Sequence, residues 1–261
     1  MTEETIRKYL TADCPRLECF EVIDSTNTYL KKAAVDGMCH KSVAVADAQT
    51  AGRGRMGRTF QSPKGKGLYL SVLLRTGVSP EKLMRSTGMA AVAAARAVER
   101  VSGAKVGIKW TNDLVLNGRK LCGILAETVM MGGETALVIG VGINVHHERS
   151  DFEGEVADLA TSLALEEYPV ERSALAAALV EELYRLSERL DGAIDDDLAE
   201  YRSRCVTLGK DVRLLWTDGQ ERAVAMDIDE AFGLVVRREN GETTTVKTGE
   251  VSVRGLYGYI E

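Results

Sequence analysis

VGIKWTNDLVLNGRKLCGILAETVMMGGETALVIGVGINV, residues 106–145, decides the fold, because its short apolar runs are separated by strong turn residues. Val106–Trp110 is a strand. Leu114–Leu116 and Lys120–Val129 flank Asn117-Gly118, a dipeptide that tolerates the positive φ angles of a type I′ hairpin turn. A two-residue turn there pairs Leu116 with Arg119 and Val115 with Lys120. Gly133-Glu134 then opens another apolar strand, ALVIGVGINV. The stretch is a three- or four-stranded antiparallel meander, which needs only tight turns and no long crossovers.

Toward the N-terminus, Leu68–Leu74 (LYLSVLL) is a mostly apolar, buried strand, and Leu17–Ile23 and Ser42–Ala46 are shorter ones. Asp24 and Ser25 are good N-cap residues for a helix in which Tyr29, Leu30, Ala33 and Ala34 recur at helical spacing until Gly37. Pro80 opens a long Ala-rich helix to about Val101, closed by Gly103. The Gly- and Arg-rich segment from Gln49 to Gly67 fits no regular element, and a long loop in a compact domain usually carries function.

Toward the C-terminus, helices dominate after the meander, and Leu175, Leu179, Leu183, Leu186 and Leu190 mark one over Arg172–Leu190. From Gly209 the texture changes to short strands punctuated by Asp218-Gly219, Phe232-Gly233 and Asn240-Gly241, ending in the apolar Leu256–Ile260. That spacing suggests a small all-β barrel or sandwich. The expected architecture is α+β: a mixed, mainly antiparallel sheet flanked by helices over residues 1–208, followed by a β domain over 209–261.

Composition narrows the function classes. With 261 residues, 45% hydrophobic and 28% charged, the chain is neither disordered, collagenous nor a coiled coil. No stretch approaches the ~20 apolar residues of a bilayer span. The start, MTEETIRKYL, lacks an apolar signal core. Five scattered cysteines without CxxC spacing indicate neither a disulfide framework nor a zinc site, and point to a reducing cytoplasm. The net charge of −6 argues against a surface built to grip nucleic acid. Yet no acidic residue lies between Asp47 and Glu81, where Arg53, Arg55, Arg58, Lys64, Lys66 and Arg75 concentrate positive charge. Such a basic stretch inside an acidic chain suits a compact polyanion such as a nucleoside triphosphate.

The individual motifs each admit a plain reading. Gly52-Arg53-Gly54-Arg55-Met56-Gly57 matches GxGxxG, but Pro63 and further glycines follow it, where a dinucleotide fingerprint would open a helix. What remains is a loop whose glycines let backbone approach a ligand and whose guanidinium forks clamp anionic oxygens, or else a solvated basic loop; pattern alone leaves both open. Ser25-Thr26-Asn27 is a helix cap, or a set of donors and acceptors for a planar urea or amide group to which Gln49 could add. Lys109-Trp110-Thr111-Asn112-Asp113 ends one strand and begins the next. Lys120 either snorkels outward or enters a pocket. Gly140 and Gly142 inside a strand mark the close approach of a ligand or another backbone. His146 and His147 are adjacent, so their side chains point apart, and they are taken as loop residues rather than metal ligands.

Together these motifs closely resemble the biotin protein ligases. The carriers are DSTN at Asp24–Asn27, QTAGRGRMGR at Gln49–Arg58, GLYLS at Gly67–Ser71, KWTND at Lys109–Asp113, RKLCGIL at Arg119–Leu125, GVGINV at Gly140–Val145 and ATSL at Ala160–Leu163. The resemblance implies a catalytic domain like that of class II synthetases and a C-terminal SH3-like barrel. It also implies a two-step acyl transfer in which biotin and MgATP form biotinyl-5′-AMP, and a lysine of a biotin carboxyl carrier protein then takes the biotinyl group.

By the same resemblance Ser25, Thr26, Asn27, Gln49, Gly52, Arg53, Gly54, Arg55, Lys120 and Gly123 bind biotin, over a floor completed by Gly140 and Gly142. Arg55, Arg58, Phe60 and Asn144 serve the nucleotide, with Phe60 stacking on adenine. Lys120 and Arg55 bridge the biotin carboxylate and the phosphate, and Asp113 orients or deprotonates the acceptor lysine. No protein metal site is expected; Mg2+ arrives with ATP. Thr111 stands where relatives usually have proline, and Phe60 where many have tryptophan. Only about twenty-three residues precede Asp24, too few for a three-helix DNA reader, so no operator binding is expected. The chain is expected to be a monomer or a homodimer, with no membrane association.

Overall fold

The computed structural model describes residues 1–131, 133–216, 219–247 and 252–255. The chain opens with helix α1 (Glu3–Arg7) and strand β1 (Arg16–Ile23). Helix α2 (Thr26–Val35) follows, capped by the Ser25 hydroxyl, which accepts from the Thr28 amide. Strands β2 (Ser42–Gln49) and β3 (Gly67–Thr76) border the basic loop. Helices α3 (Pro80–Leu83) and α4 (Ser86–Ser102) lead to β4 (Gly107–Lys109), β5 (Asp113–Leu116), β6 (Arg119–Met131) and β7 (Glu134–Asn144). After α5 (Arg172–Arg189) and α6 (Asp195–Arg204) come β8 (Asp211–Leu215), β9 (Gln220–Ile228), β10 (Leu234–Arg238), β11 (Thr243–Val246) and β12 (Ser252–Gly255).

The first seven strands form one sheet in the order β1-β2-β3-β7-β6-β5-β4. Only β1 and β2 run parallel, so the sheet is mixed and mainly antiparallel. The meander has four strands, and its hairpin has the expected register, Leu116 opposite Arg119 and Val115 opposite Lys120. Asn117 and Gly118 take φ of 48° and 76°, as the turn type demands.

Alternation along the strands gives the sheet two unlike faces. Leu68, Leu70, Val72 and Leu74 of β3 and Leu137, Ile139, Val141 and Ile143 of β7 point into the main core, under the Ala-rich α4 and the leucines of α5. The opposite face is covered over one half only, where Leu30, Ala34 and Met38 pack on Ala44, Leu73, Ala136 and Val138. Its other half carries Tyr69, Ser71, Gly140, Gly142 and Gly123, small or polar positions that no helix needs to cover.

One expectation changes, and one helix has no expectation of its own. The helix expected from Pro80 to Val101 is two helices, because the Met84 and Arg85 amides bond three residues back, to Glu81 and Lys82, which tightens the chain into a turn. Beyond it Gly88 packs on the Phe232 ring, where a Cβ would come within 2.2 Å of the ring. Helix α6 has no separate signal in the sequence: its DDDLAEYRSR is polar almost throughout, and only Leu198 and Tyr201 anchor it among apolar side chains.

The remaining strands form a separate, antiparallel five-stranded sheet, β11-β10-β9-β8-β12. Its inner residues Val212, Leu214, Ala225, Ile228, Leu234 and Val236, with Phe232 of the turn between β9 and β10, join the same buried cluster as the first sheet. Asp218 and the apolar Leu256–Ile260 expected to end the chain lie outside the described residues. Among the described residues no helix is long and apolar enough to cross a membrane.

Candidate active site

The half-open face of the sheet is shaped by one irregularity. Between β5 and β6 the register shifts, so that Val115 faces Lys120 but Asp113 faces Gly123, with Leu121 left as the extra residue. A bulge of this kind brings side chains three apart onto one face. Lys120 and Gly123 therefore look out on the same side as Asp113, and Lys120 Nζ lies 2.7 Å from Asp113 Oδ1. The Lys120 backbone is held on its other edge, donating to the Leu159 carbonyl and accepting from the Thr161 amide. The lysine enters the site rather than snorkelling away from it.

The basic loop folds back on itself. The Phe60 amide donates to the Gly52 carbonyl and the Gly54 amide to the Arg58 carbonyl, around a short 3-10 turn at Arg55–Gly57. Glycine is required at 52, where a Cβ would stand 2.3 Å from the Phe60 carbonyl oxygen. This folding aims Arg55 inward. One of its guanidinium nitrogens donates to Asn112 Oδ1 at 3.1 Å, and Nη2 is buried without a partner. Burial lowers the Arg55 pKa, with the Asp113 carboxylate acting against it. A buried, unsatisfied guanidinium nitrogen is costly unless an anion meets it.

The polar residues at the start of α2 form one continuous network. The Gln49 side-chain oxygen accepts from the Thr26 amide and hydroxyl, and its amide nitrogen donates to Ser62 Oγ. Thr26 Oγ1 lies 2.7 Å from Ser71 Oγ, which donates to Asn27 Oδ1 at 2.6 Å. Asn27 Nδ2 donates to the Leu125 carbonyl and to Glu127. Asn27 rests on Gly140, where a Cβ would come within 2.0 Å of its oxygen. Thus Thr26, Asn27 and Gln49 are gathered as expected, while Ser25 Oγ is engaged with the helix cap.

The Phe60 ring lies over Gly142 and Gly123, edge-on to Tyr69, with ring centroids 6.4 Å apart. Two of the glycines expected to floor a biotin pocket therefore seat an aromatic ring here. Asn144 is buried and donates to the Thr161 carbonyl at 2.9 Å, and Arg58 is exposed on the loop. Among the described residues no group of three or more His, Cys, Asp or Glu side chains is arranged to hold a metal ion.

The model of the biotin/lipoate A/B protein ligase family matches residues 19–144, the span holding the whole site. The biotin–[acetyl-CoA-carboxylase] ligase of Mycobacterium tuberculosis is 32% identical over 233 residues, 87% of this chain and 85% of that protein. The chain belongs to the biotin/lipoate A/B protein ligase family. The bifunctional ligase/repressor BirA of Bacillus spizizenii is 40% identical over 147 residues, 55% of this chain and 45% of that protein. The chain thus spans less than half the length of that Bacillus relative. The solved biotin protein ligase of Aquifex aeolicus, in complex with biotin and ATP, superposes with a TM-score of 0.78 at 25% identity, covering 92% of this chain and 99% of that one.

Within this family member the KWTND motif divides. Trp110 is buried, and its indole donates to the Phe232 carbonyl at 2.8 Å, joining the two sheets. The Trp110–Thr111 peptide is cis. Asn112, not singled out in the sequence, fixes Arg55 and is itself held by the Ile124 carbonyl and amide. Ser71 and Glu127 were missed likewise: Ser71 closes the GLYLS motif but reads as one residue of an apolar strand, and Glu127 lies just beyond RKLCGIL in no pattern that marks it. The local excess of positive charge is mostly neutralised by distant acids: Arg53 by Glu127, Lys64 by Glu21, Lys66 by Glu148 and Asp151, and Arg75 by Glu134. Arg55 instead bonds a neutral amide.

Proposed function

We propose that this chain is an ATP-dependent biotin protein ligase: it activates biotin to biotinyl-5′-AMP and transfers the biotinyl group to a lysine of a biotin carboxyl carrier protein. The observation that carries the reading is the buried, unpartnered Arg55 nitrogen beside the Lys120–Asp113 pair, on a sheet face floored by glycines. In the first step a biotin carboxylate oxygen bonds to the α-phosphorus and pyrophosphate leaves. Bringing two anions together needs cations aimed at the shared charge, and Arg55 and Lys120 supply them. Ser25, Thr26, Asn27, Gln49 and the backbone of Gly52–Arg55 take the biotin head, with Gly123 beneath it where the Phe60 ring rests in this structure. Arg58 and Asn144 serve the nucleotide, and Phe60 stands between the two halves of the ligand and stacks on adenine. Mg2+ enters with ATP as part of the substrate.

In the second step the acceptor amine, with a pKa near ~10.4, must lose a proton before it attacks the acyl carbon and AMP departs. Asp113 orients that amine or takes its proton. We read residues 1–208 as the catalytic domain and 209–261 as a small SH3-like barrel. The chain acts in the cytoplasm as a monomer or homodimer, without binding nucleic acid.

The test is pyrophosphate release from MgATP with biotin, lipoate or neither, and with no acceptor protein. Biotin-dependent release that stops near one equivalent per site is the expected result. Dependence on lipoate moves the chain to the other branch of its family. If neither acid stimulates release, the ligase reading fails.

A further inference from the structure

Glu127 stands on β6 at the edge of the site and belongs to none of the motifs. Its carboxylate is a junction of three elements. Oε1 meets Lys31 Nζ at 2.7 Å and Arg53 Nη2 at 3.1 Å; Oε2 meets Asn27 Nδ2 at 3.1 Å and Arg53 Nη1 at 3.2 Å. The side chain is only 17% exposed. Burial alone raises its pKa, but the hydrogen bonds from Lys31 and Asn27 and the charges of Lys31 and Arg53 outweigh burial, so the carboxylate form is favoured. The Arg53 pair is the fork-on-fork arrangement that fixes direction as well as distance.

The two inner arginines of the loop consequently have different partners. Arg55 reaches past the glycines to Asn112 and keeps a nitrogen without a partner, whereas the Arg53 guanidinium grips the sheet through Glu127. The ends of the loop are tied to neighbouring strands, by the Thr50 and Ala51 amides on the Ile23 and Asp24 carbonyls and by Lys64 on Glu21, whereas its middle crosses the open face on its own backbone bonds and on Gln49–Ser62. We infer that Glu127 is a positioning residue that latches the Gly-rich loop through Arg53, and so sets how long the activated acyl adenylate is retained. This rests on the ligase reading above, and it adds a residue and a rate that the reading does not contain. Lys31 shares the carboxylate but belongs to α2 and not to the loop, which makes it the internal control.

The experiment follows pyrophosphate release by the full-length protein from biotin and MgATP without acceptor, in the wild type, Glu127→Gln, Arg53→Met, the double variant and Lys31→Met. Wild type releases a burst and then stops. Glu127→Gln should keep its burst and then continue to turn over about tenfold faster than wild type as adenylate escapes; Arg53→Met should leak to the same extent whatever the size of its burst, and the double variant should leak no faster than either single one. Lys31→Met should stop like wild type, and all should melt within a few degrees of it. A plateau like that of wild type in Glu127→Gln, additive leaks, or an equal leak in Lys31→Met each overturns the latch. If Glu127→Gln does not fold, the plateau or leak of Arg53→Met decides. Absence of any biotin-dependent burst in wild type refutes the ligase reading instead.

Discussion

Lys120 on β6 and Asp113 on β5 form an ion pair, at 2.7 Å, only because a bulge at Leu121, between the Leu114 and Val115 pairings, keeps both on the open face of the sheet. The pair joins the residue expected to meet the activated carboxylate with the one expected to meet the acceptor amine. Lys120→Met should slow adenylation by about 10²–10³, the usual loss when one group stabilising developing charge is removed. Asp113→Asn keeps the shape and a hydrogen-bonding oxygen, so it should slow transfer to the carrier more than adenylation. Single-turnover measurements of each half-reaction decide this, and equal losses in both steps for Asp113→Asn would reject its assignment to the second step.

Gly142 and Gly140 are small for different neighbours, so adding a methyl group at each should fail differently. At 142 the new Cβ meets the Phe60 ring at 2.6 Å; at 140 it meets Asn27 Oδ1 at 2.0 Å. Asn27 is fixed by Ser71, Leu125 and Glu127 and cannot retreat without breaking bonds. Gly140→Ala should therefore destabilise the fold by ~1–3 kcal/mol and weaken biotin binding. Gly142→Ala acts on a side chain held by packing. Its defect should be partly relieved by Phe60→Leu, and a double variant whose defects simply add would show that the ring is not what the methyl group displaces.

How far the sequence could be read follows from the range of each interaction. The Asn117-Gly118 hairpin and its register are legible because turn chemistry is local, and the helix cap at Ser25 for the same reason. The bulge one pair further on is not, since nothing in Leu114 or Leu121 distinguishes it from regular pairing. Thr26, Asn27 and Gln49 were legible as a polar group, but the serine that ties them together, Ser71, lies inside an apolar strand. Glu127 meets Arg53 across 74 positions, and no spacing rule reaches that far. Trp110, legible only as part of KWTND, has its place set by a still more distant contact: its indole satisfies the carbonyl of Phe232, 122 positions on, in the turn between β9 and β10.

That placement makes a separate prediction. Trp110→Phe removes the donor and leaves the Phe232 carbonyl buried without its partner, next to the Tyr201 ring that packs edge-on against Phe232 at 5.1 Å. The expected loss is ~1–3 kcal/mol in urea unfolding, with the KM for biotin unchanged below the transition. A rise in that KM without loss of stability would instead place Trp110 in the ligand pocket.

His147 should make the protein sensitive to acid. It is buried, stacked on Phe152 with centroids 5.2 Å and planes 10° apart, and both ring nitrogens lack partners. Burial pulls its pKa down to about 4, the nearby Asp151 carboxylate opposing the shift. In the unfolded chain the imidazole titrates near ~6.5. Above that pH both states are neutral and the contribution to stability is complete. As the pH falls from 6.5 towards 4, only the unfolded state takes up the proton, so stability declines, to a total of about 3 kcal/mol. Carboxylates with depressed pKa values, such as Glu127 and Asp151, lose stability in the same direction, so the wild type alone cannot isolate the histidine. His147→Leu can, because it fills the same apolar site with nothing to protonate. Denaturant unfolding at several values between pH 7 and pH 4 should show the variant gaining on the wild type by up to ~1.4 kcal/mol per pH unit inside that window and not above it; parallel decline of the two proteins would mean that the ring is solvated or paired.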